Sequence, residues 1–162
     1  MSALILPGGE STTLLKFFDA EAFWEPLRRF AESRPVFGTC AGAILMAEKV
    51  ENPAQPSLGL LPITVRRNAY GRQLSSSIRT VDTGPELQIG PEAGEPLEVV
   101  LIRAPVILDV PPDVQVLARM EGKPILVRQN NRLAGTFHPE LTQDTRVHSY
   151  FCQLCQNTVG IN

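Results

Sequence analysis

Short apolar runs alternate with helical periodicity along the first fifty residues. Met1-Ser2-Ala3-Leu4-Ile5-Leu6 is stopped by Pro7-Gly8-Gly9, which predicts a buried strand ending in a tight turn. Glu10-Ser11-Thr12-Thr13 then opens a helix with Ser11 as its N-cap. Leu14, Leu15, Phe17 and Phe18 carry that helix, and Ala22, Phe23, Leu27, Phe30 and Ala31 recur at helical spacing in a second. Val36-Phe37 forms another short strand, which runs into Gly38-Thr39-Cys40-Ala41-Gly42 and the helix-like Ala43-Ile44-Leu45-Met46-Ala47. Strand, tight turn and helix in repetition predict an α/β domain on a mainly parallel sheet.

The middle of the chain is punctuated differently. Prolines, glycines and serines interrupt the pattern from Asn52 to Pro96, and Thr80 to Glu95 reads as a long exposed connection. Strands follow at Leu97–Ile102, Val114–Arg119, Pro124–Arg128 and Leu133–Phe137. Their spacing suits antiparallel pairing through turns at Glu121-Gly122 and Asn130-Asn131. His148 to Leu154 closes the chain as a helix.

Composition narrows the function classes. A length of 162 residues predicts one domain, 1–162, able to bury a core without a disulfide or metal staple. With 43% hydrophobic and 20% charged residues the chain is neither disordered nor fibrous. A formal charge of −2 argues against nucleic-acid or polybasic membrane binding and favours small-molecule or protein partners. The apolar runs fall far short of the ~20 residues of a membrane span, and no secretory signal opens the chain. Three cysteines, an odd number, do not make a secreted disulfide framework, so a cytoplasmic location is expected.

Two patterns carry chemistry. In Gly38-x-Cys40-x-Gly42 the glycines clear space for Cys40 at a sharp strand-to-helix turn. The following helix favours a thiolate, and the Ala41 N–H stands ready for an oxyanion. The same pattern also fits a buried structural cysteine at an alanine-rich helix entry. Phe137-His138-Pro139-Glu140 supplies the imidazole that a thiol nucleophile needs and a carboxylate two residues on to fix its tautomer. The plain alternative is a surface His–Glu pair. Cys152 and Cys155, with His148, share a face of the closing helix; three such ligands suit zinc, but packing of small apolar thiols beside Phe151 is the favoured account.

Leu6-Pro7-Gly8-Gly9-Glu10-Ser11-Thr12, Gly38-Thr39-Cys40-Ala41-Gly42 and Phe137-His138-Pro139-Glu140-Leu141 resemble class I glutamine amidotransferase domains. Thr13 after Glu10-Ser11-Thr12, with Arg67-Asn68-Ala69-Tyr70-Gly71-Arg72-Gln73, narrows the resemblance to the glutaminase subunits of pyridoxal 5'-phosphate synthases, in order from about Ala3 to Phe151. The resemblance implies a three-layer sandwich with a mainly parallel, mixed sheet. It implies Cys40 as nucleophile, His138 as general base then acid, and Glu140 as its orienting partner. It further implies glutamine contacts from Gly9, Glu10, Ser11, Arg67, Ile102 and Arg103, and an oxyanion hole shared by Gly9 and Ala41. From spacing alone, solvated strand positions are the better account of Arg67 and Arg103. No metal or organic cofactor is implied. The implied partners are L-glutamine and a barrel-shaped synthase subunit that receives the ammonia and, on docking, switches the glutaminase on.

The resemblance also implies a strand, a helix and a second strand ahead of the Pro-Gly-Gly turn, where this chain has six residues. The expectation is an uncovered sheet edge, self-association and weak activity of the isolated chain. A non-catalytic binding module is therefore the alternative to the enzyme; a glutaminase serving another acceptor is a third reading, disfavoured by the Arg67–Gln73 segment.

Overall fold

Alternating side-chain direction along the strands builds two cores from one sheet. In the computed structural model, which describes residues 1–68 and 76–159, Val36, Ala134 and Val127 face one apolar cluster while their chain neighbours Phe37, Leu133 and Leu126 face the other. These residues lie on strands β2 (Val36–Thr39), β10 (Arg132–Gly135) and β9 (Lys123–Gln129). The sheet is completed by β1 (Leu4–Leu6) and β8 (Gln115–Met120), in the order β1-β2-β10-β9-β8. Helices α1 (Ser11–Ala20), α2 (Trp24–Ser33) and α3 (Ala41–Met46) contribute to the first cluster, and α4 (Arg146–Val159) covers the second. The result is a three-layer α/β sandwich with a mixed sheet: β1, β2 and β10 run parallel, and β9 and β8 antiparallel to their neighbours.

Two smaller sheets flank it. Strand β3 (Ala47–Glu51) pairs in parallel with β4 (Leu61–Arg66), which pairs antiparallel with β7 (Val106–Asp109); β5 (Ser76–Val81) and β6 (Leu97–Ile102) form an antiparallel ribbon.

Several local expectations need correction. Strand β1 is not buried: it lies at the edge of the sheet, where Leu6 is buried and Ile5 is 46% exposed. Glu10, with extended backbone, is the N-cap of α1, while Ser11 is its first residue and turns its hydroxyl to the Gln55 side chain at 3.0 Å. Ala47 begins β3 rather than ending a helix. The segment from Thr80 to Glu95 is not a bare surface connection, because Leu87 is fully buried in the second core and Thr83 bridges to Ala118 on β8. Cys152 faces solvent, whereas Cys155 packs against the second core as expected. Among the described residues no three His, Cys, Asp or Glu side chains cluster to hold a metal, and no helix is long and apolar enough to cross a membrane.

Helix α4 is tied down by a buried ion pair. Arg146, with a side chain only 1% exposed, bonds Asp144 at 2.6 Å and donates to the carbonyls of Glu95 and Pro96 at 2.8 and 3.0 Å. Burial alone would raise the Asp144 carboxyl, but the bonds from Arg146 outweigh it and hold the group below its ordinary range. A lowered folded-state pKa gives stability that is complete above the unfolded value of about 3.9 and is lost as pH falls through the folded one. Asp144→Ala strands the buried guanidinium, and we expect it to cost about 3–5 kcal/mol at pH 7. Urea denaturation at pH 7 and pH 3 should show that difference shrinking in acid; an equal loss at both would remove the pair from the acid response.

Candidate active site

Register brings the chemistry together. Leu6 and Ala134 both stand opposite Gly38, and Gly135 opposite Thr39, so β1, β2 and β10 reach their carboxyl ends side by side. Beyond those ends come Gly8-Gly9 after β1, Cys40 after β2 and His138 shortly after β10. In an open α/β sheet this is where ligands bind. The ribbon delivers Ile102 and Arg103 from the end of β6, and Arg67 follows β4. Together they enclose a cleft of about 250 Å³ lined by Gly9, Glu10, Ser11, Cys40, Arg67, Ile102, Arg103 and His138, with Ile44, Asn68 and Pro105 completing the wall. The last three were missed in the sequence: Ile44 reads as helix core, and nothing in the spacing marks Asn68 or Pro105. Of the Arg67–Gln73 segment, residues 69–73 lie outside the described residues.

Cys40 sits at the turn between β2 and α3 with φ 48°, a left-handed conformation that a non-glycine residue adopts only when its surroundings impose it. Its N–H is fastened to the Gly135 carbonyl at 2.8 Å. The flanking glycines act through space rather than through backbone freedom. A Cβ on Gly38 would stand 2.6 Å from the Gly42 carbonyl carbon, and one on Gly42 would collide with the Leu6 carbonyl oxygen. The helix can thus fold back over the strand and hold the thiol at the mouth of the sheet. Gly9, by contrast, has φ 130°, so its turn depends on glycine's backbone freedom.

The thiol is buried, and its hydrogen-bond acceptor is the Ile102 carbonyl at 3.8 Å. Burial pushes Cys40 above the ordinary thiol range; the Ala41 N–H opposes this, the Glu140 charge adds to it and Arg103 opposes it. The helix start favours the thiolate as the turn pattern implies, but desolvation of the charge is the larger effect. His138 is likewise buried, with Nδ1 2.7 Å from Glu140 Oε1 and its backbone N–H donating to Val100 at 2.8 Å. Glu140 follows in a short 3-10 turn, Pro139–Leu141. A carboxylate accepts the Nδ1 proton, which leaves Nε2 as the basic nitrogen. Glu10 accepts hydrogen bonds from Thr12 and from Thr13 (3.1 Å), and these, the Thr12 bond foremost, keep its carboxyl below the usual range.

Residues 1–157 match the SNO glutamine amidotransferase family. The chain belongs to that family. Among its relatives, the pyridoxal 5'-phosphate synthase subunit PdxT of Koribacter versatilis is 52% identical over 157 residues, 97% of this chain and 78% of that protein. PdxT of Thermotoga petrophila is 46% identical over 156 residues, 95% of this chain and 79% of the relative. A crystal structure described as a glutamine amidotransferase superposes with a TM-score of 0.84 at 43% identity, covering 96% of this chain and 80% of that one. A glutamine amidotransferase from Thermotoga maritima, 13% identical, shares the fold with a TM-score of 0.59 over 98% of this chain and 64% of its own.

Proposed function

We propose that this chain hydrolyses L-glutamine to L-glutamate and ammonia through a γ-glutamyl thioester on Cys40, and that the ammonia passes to the barrel-shaped subunit of a pyridoxal 5'-phosphate synthase within a hetero-oligomer. One observation carries the reading: three segments distant in sequence place a buried thiol, an imidazole oriented by a carboxylate and a glycine turn around one cleft. Family membership and relatives of about 50% identity named as PdxT support the same substrate and partner.

Because burial disfavours the thiolate, attack needs a base in place. Nε2 of His138 takes the Sγ proton as sulfur adds to the side-chain carboxamide carbon. The N–H groups of Ala41 and the Gly9 turn receive the developing oxyanion. The imidazolium, stabilised by Glu140, then gives its proton to the departing nitrogen, and ammonia leaves behind the thioester. Water deprotonated by the same Nε2 adds to the thioester carbonyl, and collapse releases glutamate and restores the thiol. Arg67 and Arg103 give the cleft a cationic wall for the α-carboxylate, and Gly9, Glu10, Ser11 and Ile102 fix the rest of the substrate. No step calls for a metal or organic cofactor. The three cysteines are free thiols, which suits the cytoplasm as the place of action.

A glutamine-mimicking electrophile tests the assignment. Mass spectrometry should locate one adduct on Cys40 and none on Cys152 or Cys155, with glutamine protecting. Labelling spread over the exposed Cys152 and insensitive to glutamine would favour the non-catalytic binding module.

A further inference from the structure

The turn after β1 does more than present Gly9. A Cβ built on Gly8 would overlap Cε1 of His138 and stand 3.0 Å from Nδ1 and 3.4 Å from Nε2. The imidazole therefore lies against the Gly8 backbone with its Cε1 edge, between the two ring nitrogens. On one side of that edge Nδ1 is fixed by Glu140 at 2.7 Å; on the other lies Nε2, the nitrogen assigned to the Cys40 proton. The sequence presents Gly8 only as part of a tight turn. Its φ is not positive, so backbone freedom does not account for a glycine here, whereas the neighbouring Gly9 has φ 130°.

We infer that Gly8 is a positioning residue: the absence of its side chain sets where the His138 ring sits, and so where Nε2 meets the thiol. This rests on His138 being the proton carrier proposed above. The neighbouring atoms leave the ring few ways to yield. His138 is buried, its main chain is held by Val100, and the Gly8 turn is drawn against the sheet by Leu6, whose carbonyl presses on Gly42. A methyl group at position 8 must push the ring off the turn, stretching the bond to Glu140 and moving Nε2. A misplacement of the order of 1 Å at a reacting group costs about 100-fold in rate. Bound glutamine is held mainly by other residues, so its binding should change little.

The test is Gly8→Ala in two backgrounds. In the otherwise unchanged chain, assayed with its synthase partner, kcat for ammonia release should fall about 100-fold while KM stays within a few-fold. Thermal unfolding should show Gly8→Ala lowering Tm in that background and having little effect when His138 is also Ala, because the methyl then enters the space the ring vacates. Should Gly8→Ala alone fail to fold, recovery of folding in the Gly8→Ala/His138→Ala pair gives the same answer. Equal Tm losses in both backgrounds, or no recovery, would overturn the inference by showing that Gly8 serves the turn and not the ring. A Tm loss confined to the His138 background with unchanged kcat would also overturn it, provided His138→Asn is inactive. Retained turnover in His138→Asn would instead overturn the proton-carrier reading on which it depends.

Discussion

Cys40→Ala should abolish ammonia release, with a fall on the order of 10⁶-fold, while glutamine binding persists. The asymmetry follows from where the sulfur acts. Among the described residues the cleft is lined by ten others besides Cys40, two of them arginines, and these meet substrate before any bond changes. The sulfur's contribution is a covalent bond formed only on the way to the thioester, so its loss falls on kcat and spares the ground state. Isothermal titration of Cys40→Ala with glutamine, beside ammonia release by the same preparation, checks both halves. Appreciable turnover without the sulfur would end the thioester mechanism; loss of binding would mean that Cys40 holds the site's shape, as its left-handed backbone and its bond to Gly135 give it the means to do.

The parallel part of the fold was legible because sequence and geometry share one rule there. Apolar runs ended by Pro7-Gly8-Gly9 and by Gly38-x-Cys40-x-Gly42 must stop where side chains give way to turns, and the structure places both stops at the same end of the sheet. The hairpin at Glu121-Gly122 was legible from its glycine: both residues have positive φ, a turn conformation that Gly122 adopts freely and Glu121 does not. Strand β4 was not found. Leu61, Ile63 and Val65 alternate inward as a strand requires, but Pro62 between them reads as a breaker. The structure resolves the conflict locally: the pairing of β3 with β4 shifts register between Ala47 and Lys49, opposite the proline, and β7 joins only from Thr64 onward.

At the site, the candidate triad was legible because histidine and cysteine are scarce in the chain and Glu140 stands two residues from His138. The rest depends on contacts across the fold. Gly8 against the imidazole, Ile102 against the thiol and Gln55 against Ser11 join residues 44 to 130 positions apart, and no local pattern encodes them. The desolvation of Cys40 was not legible for the same reason. A turn-and-helix pattern announces the N–H groups that favour a thiolate, but burial, which is the larger effect, comes from packing of distant segments such as Ile102, whose carbonyl lies 3.8 Å from the sulfur.

His138→Asn should be nearly as damaging as Cys40→Ala, and adding Cys40→Ala to it should cost almost nothing more, because thiol and imidazole act as one unit. With burial raising the thiol above its ordinary range, the reaction depends on the base to form the nucleophile. Asparagine can contact Glu140 but cannot take the sulfur's proton or return one to nitrogen. Glu140→Gln should hurt less. Its side chain is 46% exposed, against 11% for His138, so water can solvate the imidazolium when the carboxylate is gone, and the amide can still offer an oxygen to Nδ1. Steady-state kinetics on the three single variants and the Cys40→Ala/His138→Asn pair, all with the synthase partner present, give the comparison. A double variant much slower than either single one would show that the two side chains contribute separately. Unchanged turnover in Glu140→Gln would mean that the 2.7 Å contact belongs to the fold and not to the proton's path.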